Sequence, residues 1–120
     1  MPRPLAVAAA HIVENIDRIA RYISGKTEHE YLRDPLLSDA VERCIERISE
    51  ASRSIPEDVK AINPTVPWAD IARVGNILRH KYDAVAVPTI WQIAAFDAPA
   101  LRLVMIKIAA SAQARDSGQT

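Results

Sequence analysis

The sequence predicts an all-α fold, an antiparallel bundle of four to five helices. Apolar residues recur at intervals of three and four over long stretches, which draws the buried stripe of a helix. Glycine occurs only three times in 120 residues, and no alternating strand pattern runs for long. Hydrophobic residues make up 49% of the chain, enough for one real core but, at this length, not for two. Residues 1–115 are therefore expected to form a single helical domain, with 116–120 a disordered polar tail.

Each element follows from its own signals. Ile12, Ile16, Ile19 and Ile23 align on one face of a first helix spanning residues 4–23. Gly25 suits the left-handed cap that ends it. Thr27 and Glu30 stand at capping-box spacing and mark a short turn. Asp34 followed by Pro35 is an N-cap with proline at the first helical position. The helix they open reads to about residue 55, burying Leu37, Ala40, Val41, Cys44, Ile45, Ile48 and Ala51. Pro56, Pro64 and Pro67 confine residues 56–67 to an irregular connection, with room for a helical turn around Glu57. Pro67 then introduces a third long helix over residues 68–82, with Trp68, Ile71, Val74, Ile77 and Leu78 apolar. Residues 83–87 read as a linker. A last helix runs from Pro88 to about residue 114, kinked or broken near Asp97-Ala98-Pro99.

Composition narrows the function. Fifteen basic and fifteen acidic residues cancel, so nucleic-acid contact has to come from a local patch. Cys44 is the only cysteine, which leaves no disulfide framework and no zinc-type cluster, and it reads as a small core residue. His11 and His29 lack partners at metal-ligand spacing, so no metal site and no cofactor are expected. The amino-terminal residues lack a signal-peptide pattern, and no apolar run approaches the ~20 residues of a membrane span. The expected compartment is the cytoplasm, with no membrane partner.

One segment carries candidate chemistry. At about 100° per residue, Arg73 and His80 fall within roughly 20° of each other, with Asn76 between them on the same face. Arg79 and Lys81 flank the histidine and raise the local positive potential. Arginine offers phosphate a planar fork of donors, and asparagine can orient a hydroxyl or oxyanion. Histidine moves protons near neutral pH. The set suits a phosphodiester: Arg73 and His80 as catalytic groups, Asn76, Arg79 and Lys81 as phosphate contacts. A two-fold dimer would face two copies across a groove and supply both an acid and a base. Gly75, inside the same helix, costs ~1 kcal/mol against alanine and implies a close approach by another element.

Pro67-Trp68-Ala69-Asp70-Ile71-Ala72 and Gly75-Asn76-Ile77-Leu78-Arg79-His80-Lys81-Tyr82 resemble the core of the HepT-like family of HEPN-domain ribonuclease toxins. Ile90-Trp91-Gln92-Ile93, Pro99-Ala100-Leu101 and Asp39-Ala40-Val41-Glu42-Arg43 fit as well, so the likeness spans roughly residues 12–108. The resemblance implies a HEPN-like helical homodimer that cleaves RNA without metal at its dimer cleft. It also implies a toxin–antitoxin system, in which a minimal nucleotidyltransferase antitoxin transfers AMP to a tyrosine. Carried over, His80 is the catalytic histidine and Tyr82 the modified tyrosine, where added negative charge and bulk would block an RNA phosphate. Glu42, Arg43 and Glu50 match family positions that support the site or line the interface. Position 75, where the commonest family pattern has arginine, is glycine. The arginine role then falls to Arg73 at the longer spacing or to Arg79. The alternative reading is a non-catalytic dimeric module that binds a nucleotidyltransferase.

Overall fold

In the computed structural model, which describes residues 3–80 and 87–117, every regular element is helical. Lys81, Tyr82, residues 83–86 of the expected 83–87 linker and the tail residues 118–120 lie outside the described residues, and Val87 begins a helix. Helix α1 spans Leu5–Ile23, α2 Glu28–Leu32, α3 Pro35–Ser52, α4 Glu57–Ala61 and α5 Trp68–His80. After them come α6 (Val87–Gln92), a π-helical turn (Ile93–Asp97) and α7 (Ala98–Ser117).

The local signals act as the residues dictate. Asp34 accepts a hydrogen bond from the Leu37 amide at 3.0 Å, with Pro35 at the first helical position. Thr27 and Glu30 close a full capping box on α2. Gly25 takes the left-handed conformation, φ 72°, that lets the chain leave α1. Pro99 has no amide proton to give back to the preceding turn. The chain meets this by widening the turn just upstream: the Ala98 amide reaches the Ile93 carbonyl, five residues back. The expected kink is thus a π-turn that joins α6 to α7.

The core lies among α1, α3 and α7. Ile12, Ile16 and Ile19 from α1 meet Val41, Cys44, Ile45 and Ile48 from α3, and Met105 and Ile108 from α7. Each fully buried isoleucine contributes ~1.5–3 kcal/mol relative to exposure. Cys44 is buried as expected, and burial pushes its thiol above the usual range. Helices α1 and α7 run antiparallel: Arg102 bonds Asp17 at 2.6 Å, and Asp116 accepts from the Ala6 amide at 3.0 Å. Where the sequence pattern ends the ordered chain at residue 115, α7 continues to Ser117. The Asp116 carboxylate there satisfies an orphan amide of the α1 N-terminus, a contact a hundred residues away in sequence that no local pattern encodes.

Helix α5 stands outside this trio and packs on α3. Between α5 and the π-turn and first turns of α7 runs an apolar groove of about 880 Å³, lined by Ile71, Val74, Ile77, Ile93, Leu101 and Val104. None of the described helices is long and apolar enough to cross a membrane.

Candidate active site

Helix α5 is placed by one close approach. Gly75 is buried, and a β-carbon there would overlap Ser49 Oγ and Cβ on α3. Two donors fix the register: Ser49 Oγ at 3.0 Å and Arg53 Nη2 at 3.1 Å both bond the Ala72 carbonyl. That carbonyl lies one turn before Gly75. Glu50 of α3 reaches Arg79 at 3.4 Å near the end of α5. The glycine therefore has its packing reason in this chain, and position 75 points at α3 and not outward. The family's usual arginine could be accommodated there only if Ser49 moved.

With Gly75 and Leu78 turned inward, the opposite face is open. Arg73, Asn76 and His80 are all exposed, as their three- and four-residue spacing requires. Arg79 is also exposed and leans toward α3. Neither arginine is without a carboxylate: Arg73 pairs with Asp70 on its own helix, Arg79 with Glu50. Such exposed pairs are worth about 0–1 kcal/mol, so an incoming phosphodiester can displace the carboxylate. The face thus offers an imidazole, an amide and two guanidiniums that a phosphate can recruit. Lys81 and Tyr82, which continue this segment, lie outside the described residues.

The three supporting positions separate. Glu50 touches the segment through Arg79, at the α3–α5 seam. Arg43 pairs loosely with Glu46 at 4.0 Å and shares a surface groove with Arg79. Glu42 accepts from Ser38 Oγ at 3.0 Å within its own helix. Its described bond is to α3 alone, and no such bond joins it to α5. Trp68 donates its indole N–H to the Asn63 carbonyl at 3.1 Å, and Trp91 packs on Tyr31 with ring centroids 5.3 Å apart. Both tryptophans have structural partners. Ser49 and Arg53, which position α5, were not singled out from the sequence. The signal available was Gly75 itself, which called for a small partner on a neighbouring helix.

A family model described as "Ribonuclease HepT-like" matches residues 12–108. A Thermococcus cleftensis protein named "Probable ribonuclease HepT" is 35% identical over 91 residues, covering 76% of this chain and 83% of that protein. A Methanocaldococcus jannaschii protein named "Gamma-glutamylcyclotransferase and putative RNase MJ0434" is 32% identical over 108 residues, 90% of this chain. The chain spans about half of that protein's length, 49%. No solved structure matches the chain significantly.

Proposed function

This chain belongs to the HepT-like ribonuclease family, and from that premise we propose that it is the RNA-cleaving toxin of a cytoplasmic toxin–antitoxin pair. The observation that carries the reading is the exposed face of α5, with His80, Asn76 and Arg73 in line and Arg79 beside them. In the proposed reaction His80 takes the proton of a ribose 2′-hydroxyl. The freed oxygen attacks the adjacent phosphorus, and the 5′-oxygen of the next nucleotide leaves with a proton from a second acid. The products are a 2′,3′-cyclic phosphate and a free 5′-hydroxyl. No metal enters this scheme. Arg73 or Arg79 neutralises the phosphorane as its charge grows, and Asn76 and Lys81 hold the flanking oxygens.

One chain offers one histidine on this face, so the second proton-transfer group comes from a second copy. The apolar groove beside α5 supports a homodimer. Its lining of Val74, Ile77 and Leu101 is the kind of surface that association buries, and Val74 and Ile77 lie on the same helix as His80. The proposed antitoxin is a minimal nucleotidyltransferase that places AMP on Tyr82, two residues beyond His80. A phosphate ester there repels the RNA phosphate and occupies its space.

The test is cleavage of RNA by the purified chain in EDTA, compared with His80→Ala. Loss of a positioned acid or base lowers the rate by about 10²–10⁴-fold. Equal cleavage by the two proteins removes the reading. Parallel Arg73→Ala and Arg79→Ala variants decide which arginine serves the phosphorane. Intact mass after co-expression with a minimal nucleotidyltransferase is expected to rise by one AMP residue, and to stay unchanged with Tyr82→Phe.

A further inference from the structure

A second groove, of about 530 Å³, lies across the faces of α1 and α3 and is bordered by Arg79 of α5. That volume is in the ~300–1,000 Å³ range of small-ligand sites. Its lining is strongly charged: Arg3, Arg18, Arg43, Arg47 and Arg79 against Glu14, Glu46 and Glu50. The carboxylates are already taken. Glu14 pairs with Arg18 at 3.1 Å, Glu46 with Arg43 at 4.0 Å and Glu50 with Arg79 at 3.4 Å. Among the described residues no carboxylate pairs with Arg47 or Arg3, so the groove holds a net excess of cations. Arg18 of α1 and Arg47 of α3 both line this groove, one from each side of the α1–α3 seam.

A second observation is independent of charge. Asn15 lines the groove and is only 7% exposed. Its Nδ2 donates to the His11 carbonyl at 2.9 Å, but its Oδ1 is buried and has no donor. A buried amide oxygen left without a donor costs ~1–3 kcal/mol. Asn15 stands in the groove wall, so a turn of its side chain would bring that oxygen to a ligand hydroxyl beside a phosphate for the arginines and satisfy both features. A ribonucleotide unit has that pair of groups, and deoxyribose lacks the 2′-hydroxyl.

We propose that the α1–α3 groove binds a nucleotide of the RNA strand next to the cleaved linkage, its phosphate held by Arg47 and Arg18 and its 2′-hydroxyl donating to Asn15 Oδ1. The choice of a strand over a free nucleotide rests on the RNA-cleaving reading of α5. Arg79 lines the groove and directly precedes His80, so a strand crossing the α5 face continues past Arg79 into the groove.

The test is fluorescence-anisotropy titration of the full-length His80→Ala chain with a labelled hexaribonucleotide, its deoxy counterpart and, as competitor, AMP. The ribo-oligomer is expected to bind about 2- to 10-fold tighter than the deoxy-oligomer, one hydrogen bond's worth. Arg47→Gln, an exposed residue outside the catalytic segment, is expected to weaken ribo-oligomer binding about 5- to 30-fold. It should also lower the slope of log affinity against log salt by ~0.7, and Arg47→Lys should keep that slope. Asn15→Leu should erase the ribo–deoxy difference. If that variant does not fold, the difference in the parent protein decides the point. Unchanged affinity and slope in Arg47→Gln, or equal binding of the two oligomers, overturns the proposal. AMP competing as strongly as the hexamer overturns the strand and leaves a free-nucleotide site. The two readings fail separately. Arg47-dependent binding by a parent chain that cuts no RNA sinks the nuclease and keeps the groove; cleavage with Arg47-independent binding does the reverse.

Discussion

Helix α5 has two sides built on opposite terms. Toward α3 it is locked: Gly75 lets the two backbones close, and Ser49 and Arg53 both donate to the Ala72 carbonyl. Toward α7 it is open, facing Ile93, Leu101 and Val104 across an apolar groove of about 880 Å³. The first side satisfies itself within one chain. The second leaves Val74 and Ile77 only partly buried, which is costly for apolar surface unless something covers it. So one helix carries both an intramolecular anchor and the surface on which a second copy is proposed to sit.

The largest effect is expected on the open side. Val74→Glu places a carboxylate in the apolar groove, where an unpaired charge costs several kcal/mol on burial but little while the groove is wet. Sedimentation velocity should show the proposed homodimer dissociating to monomer, with dimer affinity down at least about 100-fold. RNA cleavage should fall with it, because each cleft would lose the second copy's histidine. A Val74→Glu protein that remains dimeric would move the interface off this groove.

The locked side should respond in stability instead. Gly75→Ala forces its methyl into Ser49, and overpacking costs ~1–3 kcal/mol. Helix propensity returns up to ~1 kcal/mol of that, for an expected net loss of about 1–2 kcal/mol in urea denaturation. The double variant Gly75→Ala/Ser49→Gly removes the overlapping atoms but also the Ser49–Ala72 bond, so its loss should fall short of the sum of the two single losses. Additive losses in the double variant would mean that Ser49 does not set the α3–α5 distance.

How far the sequence spoke for itself depended on whether the signal was local. Capping by Thr27 and Asp34, the stripe of Ile12, Ile16 and Ile19, and the exposed line of Arg73, Asn76 and His80 are all set within a turn or two of chain, and spacing alone predicts them. The Ser49–Gly75 contact could be half anticipated, since the glycine announces a neighbour but does not name it. The Asp116–Ala6 bond and the convergence of Arg18 and Arg47 depend on which helices become neighbours, and periodicity carries no such information. The α1–α3 groove was missed for the same reason. In the sequence His11 showed only the lack of a partner at metal-ligand spacing, whereas the fold leaves it exposed on the rim of a cationic cleft.

The smallest expected effect provides the scale for both sides of α5. Arg102 of α7 bonds Asp17 of α1 at 2.6 Å, with both side chains roughly two-fifths exposed, 41% and 38%. The hydrogen bond and charge of Arg102 hold the Asp17 carboxyl below the usual carboxylate range. A carboxylate depressed in the folded state adds stability above its unfolded value of about 3.9, and that stability is lost as pH falls through the lower, folded value. Solvent screening keeps the contribution of so exposed a pair small. Arg102→Gln should therefore lower the urea-unfolding free energy slightly at pH 7 and pH 5, and by progressively less below about pH 4. Gly75→Ala acts through steric overlap, with no proton involved, so its cost should persist through the same range. A loss from Arg102→Gln that stayed constant down to pH 3 would mean that the arginine contributes packing by its aliphatic stem and not charge. A loss comparable to that of Gly75→Ala would mean that α1 and α7 are held by this pair as firmly as α5 is held by its glycine.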